Sequence, residues 1–459
     1  MATAPYFVIS PNTILSLIGF LHGPDKTVAT PAEDWRQAKV DVVIPALNEE
    51  ENIVLCLASI AEQTMRPQRL VLIDDGSRDH TLDYARTFCE ENGIELVAIQ
   101  RSRPIGKTPT LKRQSRESDA DVEFILDGDT VLESRNYIER TVQELYQAVG
   151  IASACGTVLP LRSKDRRKMI RFPEVRRFLE ARPDASIRPK EGWIHRLDRA
   201  ITNLYRGALY MFLQRFVYRG EMVFFGTISN PVGCAVAYRR KYVKELFDRY
   251  EPILGDDLTN SEDIFIGFAM LNEGYRNIQL TDVFARSREV EAHSLPRQIY
   301  MWSSSFLQSC FYFDDLLKSP FKSWRRHRHR KEVEAQGVAE RRKVKEPYRQ
   351  PFGQEYTRRY GRPVGWVLLM GAVEKISFPT VLVILMILGM WQGLWVTLVA
   401  ETVVSLTVLT LVSKGHRVEY LFKGLLVTPL RYASLLYDLV TIGRFASDVW
   451  VRRERSWRK

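Results

Sequence analysis

The chain has 459 residues, of which 45% are hydrophobic and 26% charged, and it carries a net charge of +11. This composition excludes a disordered or low-complexity protein, and the slightly negative mean hydropathy excludes a protein that lies mostly within a membrane. The five cysteines are scattered and form no CxxC pair, which disfavours a zinc ribbon or a disulfide-stabilised fold and fits a reducing compartment.

Residues 1–35 have the pattern of an extension ahead of the first domain. The apolar stretch 6–21 is short for a membrane span, is interrupted by the polar run 10–12, and lacks the basic start of a signal peptide. We therefore predict an amphipathic helix that lies on a membrane surface or on the domain, with a true span as the alternative.

From residue 39 to about 160, short β-rich runs alternate with helix-like segments. The β-rich runs are 40–46, 70–73, 95–99, 123–126 and 152–159, and the clearest helical segments are 49–63 and 81–92. This alternation predicts βαβ units and a mainly parallel sheet. Ligands of such sheets bind outside the carboxyl ends of the strands, so we expect the functional residues to follow the strands.

Two later segments are rich in basic residues. Segment 195–219 has apolar residues at helical spacing flanked by arginines, which favours a basic interfacial helix over a core helix with a solvated face. Segment 318–347 is densely basic, but no RNA-binding pattern, zinc finger or basic zipper accompanies it. We therefore predict contact with anionic membrane lipids and no binding of nucleic acid. The arginines of the first segment are Arg196, Arg199, Arg206 and Arg215.

The strongest membrane signals lie near the carboxyl terminus. Residues 376–391 and 394–412 are apolar, and Gln392 and Gly393 between them suit a tight turn, so we predict a transmembrane hairpin. Glu401 interrupts the second run, but the Leu and Val residues around it outweigh the cost of one acid on the insertion scale.

The flanks of the hairpin set its orientation. Both flanks are basic, so both ends are expected on the cytoplasmic side. The charged pair 374–375 precedes the first apolar run and limits its length. Segment 420–447 is apolar but contains Pro429, Arg431 and Asp438, so we predict an interfacial helix rather than a third span.

Acidic residues follow two of the predicted strands. Asp74 and Asp75 come after the second strand, and Asp127 and Asp129 come after the fourth. Two carboxylates one residue apart at a strand end suit a hard divalent cation that bridges to phosphate oxygens. A single pair of this kind is also common in ordinary turns, but two such clusters in one sheet favour a site.

Other charged residues could complete that site. Lys107 follows Gly106 at a loop-to-helix junction, from which a lysine can reach a phosphate, although it could also simply begin the helix. Glu262 and Asp263 begin an apolar helix at 264–271, where the helix dipole favours carboxylates and where either could accept a hydroxyl proton. Capping by Ser261 is the structural alternative.

Taken in chain order, these stretches resemble the inverting glycosyltransferases of family 2 with a GT-A fold. The resemblance is closest to the membrane-embedded synthases of hyaluronan, chitin, cellulose and alginate, and it covers residues 39–315. The stretches that carry it are VVIPALNE at 42–49, DDGS at 74–77, DGD at 127–129, SNPVG at 229–233, ED at 262–263 and QIYMW at 298–302.

The resemblance implies a role for each matched residue. It implies that Asp263, beside Glu262, is the catalytic base, and that Asp127 and Asp129 hold Mg²⁺ or Mn²⁺. It also implies nucleotide-sugar binding by Pro45, Asn48, Glu49, Asp74, Asp75, Lys107 and Asp127, and acceptor binding by Asn230, Gly233, Gln298 and Trp302.

One residue departs from the family pattern. Met301 stands where the family has an arginine that helps to hold the diphosphate. The positive charge must then come from elsewhere, and Arg297, Lys107 and Arg240 are the candidates from the sequence. The departure bears on processivity more than on sugar transfer.

We therefore expect an α/β protein with a GT-A (Rossmann-like) domain, interfacial amphipathic helices and a C-terminal transmembrane hairpin. The expected segments are the extension 1–35, the transferase domain 36–300, an interfacial basic segment 301–362, the hairpin 363–413, and an interfacial helix with a basic tail 414–459. We expect it in the bacterial inner membrane with its catalytic domain on the cytoplasmic side, where a homo-oligomer or an export partner would complete a channel.

The expected reaction uses a UDP- or GDP-sugar and a divalent metal to extend a polysaccharide. A single addition to a lipid acceptor is the alternative enzyme activity. A membrane adaptor with a degenerate transferase domain and a nucleotide-sensing regulatory subunit are the non-enzymatic alternatives. They would bind metal or nucleotide without consuming sugar.

Overall fold

The computed structural model describes residues 11–22, 34–185, 187, 192–255, 261–335, 351–413 and 415–452. Its strands are β1 Val40–Ala46, β2 Arg69–Asp74, β3 Leu96–Gln100, β4 Val122–Leu126, β5 Thr130–Leu132, β6 Ile151–Pro160, β7 Ala235–Arg239 and β8 Arg276–Ser287.

The helices fall into two groups along the chain. Those up to the last strand are α1 Pro11–His22, α2 Ile53–Ala61, α3 Thr81–Glu91, α4 Lys107–Glu117, α5 Tyr137–Leu145, α6 Ser163–Met169, α7 Pro173–Ala181, α8 Trp193–Phe212, α9 Tyr218–Phe225, α10 Arg240–Leu254 and α11 Glu262–Glu273. Those after it are α12 Leu295–Tyr312, α13 Asp314–Leu317, α14 Ser323–Ala335, α15 Gln354–Tyr360, α16 Gly365–Ile387, α17 Trp391–Val412 and α18 Arg417–Ala446.

All eight strands form one sheet in the order β3-β2-β1-β4-β7-β6-β8-β5. The first four are parallel, as the alternating sequence pattern predicts. Strand β7 then runs antiparallel to β4 and β6, β8 runs parallel to β6, and β5 pairs antiparallel with β8. Because β1, β2 and β4 are parallel neighbours, the loops after them meet at one edge of the sheet.

The sheet is buried on both faces, which explains the nearly continuous apolar runs of its central strands. On one face, side chains of β1, β2 and β4 pack against α2, α3 and α5, and on the other they pack against α10, α11 and α12. The predicted β-rich runs are confirmed as strands, with ends that differ by a residue or so.

The N-terminal helix α1 packs against α9 on the sheet-containing domain. A Cβ atom on Gly19 would lie 2.5 Å from Gly220 Cα, so the two backbones approach as closely as glycine allows. The predicted helix is thus present, and it lies on the domain. The other residues of the predicted extension that fall in 1–10 and 23–33 lie outside the described residues.

Helix α8 exposes apolar residues in its first half and buries one of its arginines. Leu197 and Ile201, from the predicted apolar face, are 56% and 41% exposed, which suits an interfacial helix, whereas Arg206, predicted on the basic face, is fully buried. The exposed apolar residues of its first half form a stripe, as expected of a helix that meets a membrane surface. This stripe consists of Trp193, Ile194, Leu197 and Ile201.

Among the described residues, three helices are long and apolar enough to cross a membrane, namely α16, α17 and the continuous helical segment Arg417–Arg452 that begins with α18. The predicted hairpin is therefore joined by a third candidate span, where an interfacial helix was expected. The turn also lies earlier than predicted, at Gly389 with a φ of 66°, so Gln392 and Gly393 belong to α17.

Buried ion pairs explain how charged residues fit inside these helices. Lys375 lies within α16 and its Nζ is 2.9 Å from Asp438 on α18. Asp438 also accepts a hydrogen bond from Ser303 Oγ of α12 (2.5 Å). Glu401 on α17 pairs with Arg431 on α18. The charged residues that interrupt the apolar runs therefore form the ion pairs that connect these helices.

The predicted boundary between residues 300 and 301 falls inside the continuous helix α12, which joins the sheet-containing domain to the C-terminal helices. The basic residues at 341 and 342 of the predicted interfacial segment, like the terminal residues 453–459, lie outside the described residues.

Candidate active site

The loops after β1, β2 and β4 are tied to one another by hydrogen bonds. The carbonyl oxygen of Pro45, in β1, accepts from the N–H of Gly128 (3.3 Å). The N–H of Asn48 donates to Ser77 Oγ (2.9 Å), and its side-chain Oδ1 accepts from the N–H of Arg78 (2.9 Å). Asn48 has a φ of 56°, which asparagine tolerates better than most residues. The predicted donor-binding loops therefore do form one surface.

The two acids after β2 shape these loops. Asp74 is fully buried and its Oδ1 accepts from the N–H of Ser77 (3.0 Å). Asp75 accepts from the Arg101 guanidinium (2.8 Å) and from the N–H of Gly106 (2.7 Å). Asp75 thus holds the loop that leads to α4, and the role of both acids in binding a nucleoside stays a prediction.

Lys107 links the loop after β4 to the start of α11. It is the first residue of α4, and its Nζ lies 2.6 Å from Asp127 Oδ1 and 2.8 Å from Glu262 Oε1. It also donates to the carbonyl oxygen of Gly233 (3.0 Å). Although burial lowers the pKa of Lys107, the two carboxylates outweigh it and raise that pKa well above its usual value. In this structure the amine contacts carboxylates, while contact with a phosphate stays a prediction.

Three carboxyl groups crowd together beside β4. Burial raises the pKa of Glu49 to about 8, and Asp129 adds to the increase. Burial likewise raises the pKa of Asp127 to about 6, against the opposing effect of Lys107. The pKa of Asp129 is also raised by burial, although Thr130 Oγ1 donates to its Oδ1 (3.0 Å). Each ionised carboxylate here makes ionisation of the next carboxyl group less favourable.

This electrostatic arrangement fits a divalent cation. Asp127, Asp129 and the nearby Glu49 offer hard oxygen ligands, and their pKa values are raised mainly by burial, with repulsion from Asp129 adding to the effect on Glu49 and Asp127. A bound Mg²⁺ or Mn²⁺ would relieve that repulsion.

Asp263 lies at the start of α11, on the other side of Lys107. Its Oδ1 accepts from Ser261 Oγ (2.5 Å) and from the N–H of Ile264 (2.8 Å), and its Oδ2 accepts from the N–H of Gly233 (3.2 Å). A Cβ atom on Gly233 would lie 2.7 Å from Asp263 Cβ, so only glycine permits this approach. Burial, with the adjacent Glu262, raises the pKa of Asp263.

The loop 229–233 is stabilised by Glu221, a residue that no sequence motif singled out. The carboxylate of Glu221 accepts from the N–H of Ser229 (2.6 Å), and burial raises the pKa of Glu221 to about 7. Asn230 is buried, and its Nδ2 donates to the carbonyl oxygen of Pro231 (3.3 Å) within the same loop. The role of Asn230 in acceptor binding therefore stays a prediction.

The predicted acceptor residues on α12 are organised by Arg206 of α8. The Arg206 guanidinium donates to Gln298 Oε1 and lies 3.9 Å from the centroid of the Trp302 ring. Glu289 lies just beyond β8, with its Oε2 at 3.6 Å from Arg206 Nε. Burial raises the pKa of Glu289 to about 7.

The structure therefore brings together most of the predicted site. Lys107 joins Asp127 to Glu262, and Asp263 contacts Gly233. Arg240 is not part of this group, because its guanidinium donates to the carbonyl oxygen of Ala120 (2.5 Å), ahead of β4 and at the opposite end of that strand. Two further acids at 256 and 257 lie outside the described residues.

Arg206, Glu221 and Glu289 are the residues near the site that sequence reasoning missed. Glu221 and Glu289 lie in no motif. Arg206 is one of several arginines on α8. The one sequence signal that distinguishes it is its helical spacing from Thr202 and Leu209, which lie on the buried face of that helix.

Comparison with known proteins agrees with this picture. Residues 41–247 match the family model described as glycosyl transferase family 2. An N-acetylglucosaminyltransferase of Azorhizobium caulinodans is 21% identical over 253 residues, which are 54% of this chain and 54% of that protein. An undecaprenyl-phosphate 4-deoxy-4-formamido-L-arabinose transferase of Serratia proteamaculans is 28% identical over 121 residues, 25% of this chain and 37% of that protein. The chain thus spans about half or less of the length of these relatives.

The fold has a solved counterpart. A mannosyltransferase from Pyrobaculum calidifontis, solved with GDP-Man and Mn²⁺, superimposes with a TM-score of 0.50 over 96% of this chain and 94% of that one, at 14% identity. At this identity the likeness concerns the fold alone, and it confirms the GT-A architecture predicted from the sequence.

Proposed function

Residues 41–247 form a glycosyltransferase family 2 domain, and from this premise we propose that the protein transfers a sugar from a UDP- or GDP-sugar with inversion at the anomeric carbon. One observation carries the proposal. The Lys107 amine lies 2.6 Å from Asp127 and 2.8 Å from Glu262, so an acid expected to serve the donor and one expected to serve the acceptor meet at one amine.

The donor would bind across the carboxyl edge of β1, β2 and β4. Asp127 and Asp129 would hold Mg²⁺ or Mn²⁺, with Glu49 close by, and the half-buried position of these three carboxyls supports that role. When bound, the cation neutralises charge that grows on the departing diphosphate. Asp74 and Asp75 would fix the loops around the nucleoside.

The acceptor hydroxyl would be activated by Asp263. Its carboxylate takes the hydroxyl proton while the oxygen forms a bond to the anomeric carbon and the bond to the diphosphate breaks on the opposite face. A base whose pKa is raised toward neutrality removes such a proton more effectively, and burial beside Glu262 raises the pKa of Asp263. Hydrogen bonds from Ser261 and Gly233 fix its orientation.

The test is Asp263→Asn, which keeps the shape and loses the base. We expect transfer to fall about 10²- to 10⁴-fold, because general-base catalysis contributes this much, while donor binding is retained. Donor affinity by calorimetry and sugar transfer from a panel of UDP- and GDP-sugars check both parts. Asp248→Asn, an exposed acid paired with Arg116, is the control and should transfer normally. Near-normal transfer by Asp263→Asn would refute the assignment of the base.

Two acceptor classes follow from different observations. The ordered motifs favour extension of a polysaccharide, as the sequence predicts. A lipid acceptor is favoured by Met301 and by a small, open cavity lined mainly by apolar residues of α8, α17 and α18. Tyr205 belongs to that cavity and directly precedes Arg206 of the acceptor side. A hydrocarbon chain suits such a lining better than a glycan does.

Product size separates these two classes. Membranes that hold the protein would be given the donor it consumes, and the products would be resolved by chain length. A single sugar in the lipid extract supports the lipid acceptor, and long glycans support the polymerase. Nucleotide binding without consumption of any donor would support a regulatory or adaptor protein instead.

The proposed location is a membrane, with the site at its surface. The three candidate spans and the apolar stripe of α8 support this, and the basic flanks favour a cytoplasmic catalytic domain. A homo-oligomer or an export partner would be needed for a channel if the product is a polymer.

A further inference from the structure

Arg206 is a fully buried charge near the proposed acceptor side. It is 0% exposed, although it comes from a helix whose first half presents apolar residues to the exterior. Burial of a guanidinium costs several kcal/mol unless charge and hydrogen bonds compensate for it. The contacts that compensate for the burial of Arg206 therefore indicate its role.

Those contacts converge on two residues of α12 that are one helical turn apart. The guanidinium stacks on the Trp302 ring at 3.9 Å from its centroid and donates to Gln298 Oε1. Arginine is suited to this geometry because its planar fork can stack and donate at once. One face of the half-buried Trp302 is thereby covered, so a sugar could stack only on the other face.

The same guanidinium is linked to the donor side through β8. Ser287 Oγ lies 3.4 Å from Asp129 Oδ1, and the N–H of Arg288 donates to the Asp129 carbonyl oxygen (3.2 Å). Glu289 follows directly, with its Oε2 3.6 Å from Arg206 Nε. Arg206 therefore stands between the residues around Asp129 and the acceptor residues of α12.

The other cations considered for the charge missing at Met301 have different surroundings. Lys107 is paired with Asp127 and Glu262, and Arg240 donates to the chain ahead of β4. Arg297 is exposed on α12. Arg206 is the cation in contact with both Gln298 and Trp302.

We propose that Arg206 is a positioning residue that orients Trp302 and Gln298 for the acceptor. It supplies from α8 the arginine that is absent from residues 298–302, where Met301 occupies the expected position. This inference rests on the proposed function. It makes a specific claim, namely that Arg206 acts on the acceptor through Trp302 and leaves donor binding alone.

The test compares Arg206→Met, Trp302→Ala and the double variant in the full-length protein in membranes. The probe is the radiolabelled UDP- or GDP-sugar that wild type consumes. Sugar incorporated into the membrane fraction reports the acceptor, nucleotide released without incorporation reports transfer to water, and calorimetry with Mn²⁺ reports donor affinity. Arg196→Met, exposed on the same helix, is the matched control.

We expect Arg206→Met to lower incorporation about 10-fold, in the range of a desolvated cation–π contact, and to leave donor affinity and release to water within about 2-fold. In the Trp302→Ala background it should cost nothing more, because residues that act as a unit are not additive. Arg206→Lys should also fail, since an ammonium cannot stack and donate as a planar fork does.

Several outcomes would overturn the inference. These are unchanged incorporation, a parallel loss of donor affinity, or losses that multiply in the double variant. If Arg206→Met does not fold, as its melting temperature will show, Gln298→Met keeps the test open, because it leaves Arg206 in place and should lower incorporation about 3-fold or more. A wild-type protein that consumes no donor would refute the proposed function itself.

Discussion

The buried charges of the sheet edge and those of the C-terminal helices are arranged in opposite ways. At the sheet edge, burial and neighbouring carboxyl groups together raise the pKa values of Glu49, Asp127 and Asp263, and Lys107 lies between Asp127 and Glu262. In the helices, Lys375 faces Asp438 and Arg431 faces Glu401, one base to one acid. The helices thus pair each of these charges, whereas at the sheet edge, where we propose that a cation binds, several carboxyl groups share one lysine.

The two arrangements respond differently to the loss of one charge. A buried pair that loses a partner leaves the other charge without compensation, so the protein loses stability. A crowded cluster that loses one acid loses repulsion, so stability rises while the function that needed the charge disappears. The following substitutions test this contrast, from the largest expected effect to the smallest.

The first substitution breaks a pair in the helices. Glu401→Leu leaves the Arg431 guanidinium buried without its acid, so we expect the free energy of unfolding to fall by about 3–5 kcal/mol. The double variant Glu401→Leu with Arg431→Leu should recover most of this loss, because no charge remains buried. Denaturant unfolding in detergent measures both.

A control comes from the same helical region. Glu419→Gln removes an exposed acid paired with Lys423, and it should change stability by less than about 0.5 kcal/mol. If the double variant is as unstable as the single one, the helices depend on the pair itself rather than on neutrality, and the contrast with the sheet edge is lost.

The second substitution removes one acid from the cluster. Asp129→Asn should reduce transfer by about 10²-fold or more, as loss of a preorganised electrostatic contact does. Without metal, the same variant should be more stable than wild type by about 0.5–2 kcal/mol, as expected when a strained functional site is relaxed. Transfer assays and thermal unfolding in the presence of a chelator check the two parts.

Asp282→Asn, an exposed acid paired with Arg140, is the matched control and should change neither quantity. A variant at Asp129 that loses activity and stability together would mean that this carboxylate has a structural role and is not held for a cation.

The third substitution tests how the free energy of unfolding depends on pH. Glu123 in β4 is buried away from the site, and burial raises its pKa to about 8 although the nearby Arg240 opposes this. A carboxyl with a folded-state pKa above its unfolded value contributes stability below about pH 4.5 that is lost as pH rises through about 8. The loss in this window amounts to at most about 1.4 kcal/mol per pH unit.

Glu123→Gln cannot ionise, so we expect it to match wild type near pH 5 and to be more stable near pH 8. Unfolding curves of the full-length protein at several pH values show the difference. Glu95→Gln, an exposed acid at the start of β3, should follow the wild-type curve. An unchanged pH dependence in Glu123→Gln would show that this buried acid does not titrate as its surroundings indicate.

Much of the fold was predictable because the relevant signals are local. Apolar runs at strand length, followed by DDGS and DGD, predicted both β2 and β4 and the acids at their ends. The helix that starts at Glu262 was predictable from its apolar run and its acidic first turn.

What could not be predicted depends on contacts between distant parts of the chain. Lys375 reads as a residue that ends a membrane span, and its burial is compensated by Asp438 and Ser303 on other helices. The burial of Arg206 likewise depends on Gln298 and Glu289, which no local pattern associates with it. The same holds for Lys107, whose position at a loop suggested a phosphate but whose neighbours are Asp127 and Glu262.

The triple contact of Lys107 has a consequence for the order of events in a reaction cycle. Its amine now contacts Asp127, Glu262 and the Gly233 carbonyl oxygen together. A cation that arrives with the donor would compete for Asp127, and the amine would then be left to the residues beside Asp263. Donor occupancy would thereby adjust the proton affinity of Asp263, so we expect this proposed base to be tuned once the donor has bound.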